Sequence, residues 1–317
     1  MPACDVPTHR STPMVRGQYL LHPELLETVP FGNSRTAKRL NQRISDTLVD
    51  DPRSDPNVSL VVRVFNEAAR LEKLFADIDQ QLYSGEVEVI VVDNCSRDRS
   101  AEVAKCHGAE VVTLPRSEFT YPRSMNVGVE AASHDLVFLT VGHARLSNTH
   151  NLHAGARHFN RNDNTAGAFG TCLPAEGASY LERWAAAGDP TRFLARPAKP
   201  IRKCGLGTLG ATGAMISKRV WTELGRFDER YQAGGEDTAL AKSMLKAGYR
   251  VVQEPAMTVH HSHGLGFRDS VRQYINQLAT RAPRQFEEQR VLARRPDLRA
   301  NRLAADTEDR NDRPGAG

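Results

Sequence analysis

The chain has 317 residues and a mass of 35.1 kDa, enough for one large domain with additions or two ordinary ones. With 40% hydrophobic and 25% charged residues it can bury a core. Its formal net charge of +4, from 42 Lys+Arg against 38 Asp+Glu, is too balanced for a dedicated nucleic-acid binder. The five cysteines (Cys4, Cys95, Cys106, Cys172, Cys204) are odd in number, scattered and form no CxxC pair, which argues against a disulfide framework or a zinc ribbon and fits a reducing compartment. No apolar run near the start has the form of a signal peptide, and no stretch approaches the roughly 18 apolar residues of a membrane span. The sequence reads as soluble and cytoplasmic.

Residues 1–57, rich in proline and with one helix-like piece near 35–49, read as an N-terminal extension. Val58–Phe65 is rich in β-branched residues and predicts a buried strand. The apolar positions Ala68, Leu71, Leu74, Phe75, Ile78 and Leu82 then predict a helix over 67–83. Strands follow at 87–92, 110–114 and 136–141, with helices at 98–107 and 122–132, the latter opened by Pro122. Further strand-like pieces lie at 166–172, 211–217 and 250–254, and helices near 178–187, 218–224 and 236–248. This alternation predicts βαβ units, hence an α/β fold with a mostly parallel central sheet flanked by helices. From about 266 the pattern turns helical and fades into a polar tail, read as disordered from roughly 300.

Ligands of open parallel sheets bind outside the carboxyl ends of the strands. Asn66-Glu67 follows the first strand, Asp93-Asn94 the second and Gly142-His143 the fourth, so three strand ends bring polar groups to one edge. Each pair alone is also the composition of a turn or a helix cap. Their convergence suits a mononucleotide, with carboxylates accepting from ribose or base. No GxxxxGK[ST] occurs, and no GxGxxG follows the first strand, which excludes a P-loop and a dinucleotide Rossmann pocket there.

Val61–Glu67 (VVRVFNE) and Val91–Ser100 (VVDNCSRDRS) resemble the opening of family 2 glycosyltransferases of the GT-A fold. Arg123-x-x-Asn126-x-Gly128, Gly213–Glu229, Gly235-Glu236-Asp237 and Pro255…His261 are similar to later segments of that family, in its order, over about 58–265. The resemblance implies a GT-A-type nucleotide-sugar-binding domain between the N-terminal extension and a C-terminal helical segment with its tail. It implies a nucleoside-diphosphate sugar as donor, held by Arg63, Asn66, Glu67, Asp93, Asn94, Arg123 and Asn126. It also implies inverting transfer to an unidentified acceptor.

The family usually carries Asp-x-Asp after the fourth strand to hold Mn²⁺ or Mg²⁺, and here Phe138–Ala144 has no carboxylate. Some members resemble this sequence in having a His there. Imidazole is a competent ligand for such ions, and His261 resembles the family's C-terminal metal-proximal His, so the resemblance implies His143 paired with His261 as the candidate metal site, with a direct His143–phosphate contact as the other reading. Strand alternation puts His261 and His263 on one face and His260 on the other. Inverting transfer needs a carboxylate to take the acceptor's proton. Asp237 is the candidate base and Glu236 the next, although acidic residues in a first helical turn also suit the helix dipole.

The Gly-, Pro- and basic-rich segment 173–210, with Trp184, reads as a lid over the acceptor. Two rival functions remain: a nucleotidyltransferase on a similar sheet, and a degenerate nucleotide-sugar binder without turnover. No nucleic-acid partner and no transmembrane segment are expected. Peripheral membrane contact and homo-oligomerisation are left open.

Overall fold

The computed structural model of the chain describes residues 54–175, 178, 198–205, 208–231 and 234–262. The expected helices at 35–49 and 178–187, Trp184, most of the expected lid, His263 and everything beyond lie outside the described residues.

In chain order the elements are β1 (Val58–Val64), α1 (Ala68–Asp79), β2 (Val87–Asp93), α2 (Ser100–Cys106), β3 (Glu110–Thr113), α3 (Tyr121–Ala131), β4 (Leu136–Val141) and β5 (Arg145–Leu146). Then come α4 (Asn151–Arg161), β6 (Thr165–Phe169), β7 (Cys172–Leu173), β8 (Lys199–Pro200), β9 (Ala214–Ser217), α5 (Lys218–Glu223), α6 (Glu236–Lys246), β10 (Arg250–Gln253) and β11 (Val259–His260). The main sheet has eight strands in the order β3-β2-β1-β4-β9-β6-β10-β8. β3, β2, β1 and β4 run parallel; β9 is antiparallel to both β4 and β6, and β8 is antiparallel to β10. The mostly parallel α/β sheet expected from the sequence is therefore present. One expected strand, 166–172, divides: Cys172–Leu173 leaves the main sheet and joins a separate small one, β5-β11-β7.

Alternation along β1 sorts its side chains between two cores. Leu60, Val62 and Val64 pack with Leu71, Leu74 and Phe75 of α1, Val103 of α2 and Leu152 of α4. Val61 packs on the opposite face with Met125 and Val129 of α3, Trp221 of α5 and Leu240 and Met244 of α6. Both faces are covered, which is why the strand is apolar from Leu60 to Val62 and carries only the buried, hydrogen-bonded Ser59 before Arg63. By the same period of two, Arg63 shares the face of Val61, where α3 and α6 begin. Gly128 permits this packing, since a Cβ there would lie 2.2 Å from Val61 Cγ1 and 2.9 Å from Val92 Cγ2.

The fold extends slightly upstream of β1. Asp55 is buried and accepts from the Ser84 backbone N–H (3.0 Å) and from His153 Nδ1 (2.6 Å). Cys95, Cys172 and Cys204 are free thiols. Among the described residues no helix is long and apolar enough to cross a membrane.

Candidate functional site

The carboxyl ends of β1, β2 and β4 open onto one edge, and the two loops after β1 and β2 are laced together there. Asn66 takes a left-handed backbone (φ 54°), which asparagine tolerates, and its side-chain oxygen accepts from Arg97 N–H at 2.7 Å. Asn66 N–H donates to Ser96 Oγ, Glu67 N–H to Ser100 Oγ and Ala68 N–H to Asp98. Asp93 is 4% exposed, and both its carboxylate oxygens accept from Ser96 N–H at 3.2 Å. Asn94 beside it is buried, and its side-chain oxygen has no hydrogen-bond partner. A buried acceptor without a partner is costly unless a ligand or water supplies a donor.

Glu67 and the two histidines form a chain. His143 Nδ1–H donates to Glu67 Oε1 at 2.6 Å, and His143 Nε2 lies 2.9 Å from His261 Nε2. With Nδ1 carrying the proton, His143 turns the lone pair of Nε2 towards His261. A carboxylate fixing the tautomer through the far nitrogen is how ligating histidines are commonly oriented. Glu67 Oε2 is buried and without a partner, and Gly142 makes room for it, because a Cβ on Gly142 would stand 2.5 Å from that oxygen.

The acidic pair that opens α6 lies within the field of Arg63. Gly234 and Gly235 both have positive φ (119° and 103°), a turn that residues with a Cβ make only with strain, and it swings the chain into α6 at Glu236. Glu236 is 5% exposed, and its Oε2 has no partner. Burial, with the neighbouring Asp237 charge adding to it, pushes the Glu236 carboxyl up to about 7, against the opposing pull of Arg63. Burial also raises Asp237, although hydrogen bonds from the Thr238 and Ala211 backbones oppose the rise. Arg63 stacks over the Tyr121 ring at 4.4 Å; burial lowers its pKa, and the fields of Tyr121, Glu236 and Glu67 counter that. Asp237, Glu236, Arg63, Glu67, His143 and His261 thus form one electrostatic string across the edge of the sheet.

Of the sequence candidates, that string gathers six, with Asn66, Asp93 and Asn94 beside it. Two others sit differently. Arg123 donates to Glu118 at 2.7 Å and lies 3.7 Å from Glu229, so its charge is already flanked by carboxylates. Asn126 is buried with its amide engaged at both ends: Nδ2 donates to Phe227 O and Glu229 Oε1 at 2.9 Å, and Oδ1 accepts from Phe227 N–H at 3.0 Å. Its place in the structure is a brace between α3 and the turn after α5. Sequence reasoning missed Tyr121, which precedes the recognised Arg123 motif, and it missed that Glu67 meets His143. The orphaned buried oxygens are properties of packing and left no mark in the sequence.

The sheet order, the ligand edge at the β1, β2 and β4 ends and the acidic turn into α6 define a GT-A-type nucleotide-sugar-binding fold. The family model described as glycosyl transferase family 2 matches residues 59–220, just over half of the chain, and the chain belongs to that family. It is accordingly a nucleotide-sugar-dependent glycosyltransferase, and the nucleotidyltransferase alternative falls away. The O-antigen chain rhamnosyltransferase WbaN of Salmonella anatum is 26% identical over 227 residues, 70% of this chain and 71% of that protein. An N-acetylglucosaminyltransferase of Mesorhizobium japonicum is 28% identical over 269 residues, 78% of this chain and 62% of the relative. Among solved structures, the mannosyltransferase PcManGT from Pyrobaculum calidifontis in complex with GDP-Man and Mn²⁺ superposes with a TM-score of 0.51 at 16% identity, covering 89% of this chain and 87% of that one. S. aureus TarS 1-349 in complex with UDP gives 0.53 at 14% identity, covering 75% and 70%. At these identities the structural likeness speaks for the fold.

Proposed function

We propose that this enzyme transfers a sugar from a nucleoside-diphosphate sugar to an acceptor nucleophile with inversion at the anomeric carbon. Asp237 is the general base, and the His143–His261 pair holds the diphosphate end of the donor. The observation that carries this reading is the string just described, in which the field of Arg63 reaches both Glu236 of the acidic pair and Glu67, which orients the histidine pair.

Among the described residues no group of three or more His, Cys, Asp or Glu is arranged to hold a metal ion. The pair of imidazoles nevertheless fits a divalent cation of the Mn²⁺ or Mg²⁺ kind that shares its remaining positions with diphosphate oxygens. The Glu67-oriented lone pair of His143 and the orphaned Glu67 oxygen both favour a cation there. When bound, such an ion would neutralise the leaving diphosphate. His143 as an imidazolium, donating from Nε2 straight to phosphate while Glu67 balances its charge, is the metal-free version of the same site.

Asp93, Asn94 and Asn66 receive the nucleoside, where the unpartnered Asn94 oxygen and the Asp93 carboxylate accept from base or ribose. Arg63 supplies fixed positive charge next to the diphosphate. As the acceptor attacks the anomeric carbon, the bond to the diphosphate oxygen breaks, the acceptor's proton passes to the Asp237 carboxylate and the nucleoside diphosphate departs. Raised basicity from burial makes Asp237 a better proton acceptor than an exposed aspartate. Glu236 is the supporting acid–base group.

Thermal-shift measurements with nucleoside diphosphates and their sugars, with and without Mn²⁺, test the donor class, because ligands of the native state raise its melting temperature. UDP, GDP or dTDP and the matching sugar nucleotides are expected to stabilise the protein, more so with Mn²⁺ if the metal version holds. NMR of the product then reads the anomeric configuration; retention would overturn the inverting mechanism.

A further inference from the structure

We propose that Asp77 and Arg145, which belong to neither the donor-binding nor the catalytic set, are a positioning pair that holds His143 in register with His261. Asp77 sits in the last turn of α1, fully buried. Its Oδ2 accepts from Arg145 Nε at 2.6 Å and from the Leu146 backbone N–H at 3.0 Å, while Oδ1 accepts from Arg145 Nη2 at 2.8 Å. This two-pronged contact fixes direction as well as distance.

The contact matters because of what it holds. Arg145 and Leu146 are the whole of β5, and β5 pairs antiparallel with β11 through Leu146↔Val259 and Arg145↔His260. Continuing that register sets His261 opposite Ala144, next to His143. Two residue pairs make a weak ladder, so β5 needs an outside anchor. Helix α1 supplies it at both ends: Glu67, its N-cap residue, holds the His143 ring, and Asp77 holds the strand two residues further on. The two carboxylates stand ten residues apart, about 15 Å along a helix. A rigid helix therefore fixes both the orientation of His143 and the seating of the strand that faces His261. His260 lies within the field of the pair and donates from Nδ1 to Pro174 O at 3.1 Å, tying the facing strand on its other side.

A buried ion pair is weak support for stability, and replacing both partners by apolar residues often leaves a fold intact, whereas stranding one charge does not. The discriminating set is therefore Asp77→Asn, Arg145→Lys and the double variant Asp77→Leu/Arg145→Met. The proposal rests on the reading of His143 and His261 as the diphosphate end of the site. The primary readout is made without ligand: ¹⁵N signals of the histidine rings. The wild type is expected to show His143 protonated at Nδ1 with Nε2 accepting from His261. In the double variant, still folded by circular dichroism, both rings are expected to become tautomer-averaged, and Mn²⁺-dependent UDP or GDP affinity to fall about 10–100-fold, the usual effect of losing an outer-shell partner. Arg145→Lys, which keeps the charge but loses the fork, is expected to fall between. If the ring signals and nucleotide affinity stay wild-type while only the melting temperature moves, the pair is merely structural and the proposal is overturned. If instead His143→Ala leaves nucleotide binding unchanged while the ring signals still respond to Asp77, the site reading fails and the positioning claim stands.

Discussion

His143 and His261 meet through their Nε2 atoms at 2.9 Å although 118 residues separate them in the chain. The β5–β11 pairing and the Glu67 contact make that meeting specific, and the Glu67 contact sets the His143 ring in one orientation. His143→Ala and His261→Ala are each expected to weaken Mn²⁺-dependent nucleoside-diphosphate binding by about 10–100-fold with the fold retained. Isothermal titration calorimetry with and without EDTA checks this. Equal weakening in EDTA identifies direct phosphate contact, and unchanged affinity in both variants contradicts the assignment.

Gly142 lets the chain pass over Glu67 on its way to His143. In Gly142→Ala the new methyl would crowd Glu67 Oε2 at 2.5 Å and Val64 Cγ2 at 3.0 Å. Displacing the carboxylate should free the His143 ring. Turnover is expected to fall tenfold or more, against a stability loss of about 1–3 kcal/mol typical of overpacking. Steady-state kinetics beside a urea melt separates the two, and normal turnover would show that Glu67 does not orient His143.

Much of this architecture was legible from pattern alone. The β-branched runs gave β1, β2 and β4 nearly to the residue, and Glu236-Asp237 marked the first turn of α6. Helix α4 was not legible, because its buried face carries His153, Arg157 and His158 where an apolar stripe was sought; Glu254 accepts from both Arg157 and His158 inside the core. The antiparallel course of β9 and the departure of Cys172–Leu173 from the main sheet depend on long-range pairing, which local periodicity does not encode. Asn126 and Arg123 show the converse: a recognisable motif marked them, yet their partners Phe227, Glu229 and Glu118 emerge only when the chain is folded.

Burial raises the Glu236 carboxyl from 4.5 to about 7, so between these values the folded state binds a proton that the unfolded state has lost. Stability from this group is therefore full below about 4.5 and falls as pH rises through 7. Glu236→Gln removes the penalty. The melting temperature of the variant should match the wild type near pH 4.5 and exceed it by roughly 3–8 °C at pH 8. A constant offset across pH would show that Glu236 is not held protonated by burial.

Asp93 is the carboxylate at the end of β2, proposed to receive the nucleoside. Asp93→Ala removes one charged hydrogen-bond acceptor, worth on the order of 1.5–3 kcal/mol, so affinity for the cognate nucleoside diphosphate should drop about tenfold or more. Calorimetry on the folded variant measures it directly. Affinity equal to the wild type would restrict Asp93 to holding Ser96.

Asp237→Asn probes the account at its centre. Asparagine keeps the shape and can still accept from Thr238 N–H, which lies 2.5 Å from Asp237 Oδ1, but it cannot take the acceptor's proton. General-base contributions are about 10²–10⁴-fold, so kcat should fall by that factor while the donor Kd stays near wild type and the melting temperature does not fall. Turnover that survives in this variant, with only a change in stability, would contradict the assignment and leave Asp237 as a helix-capping residue.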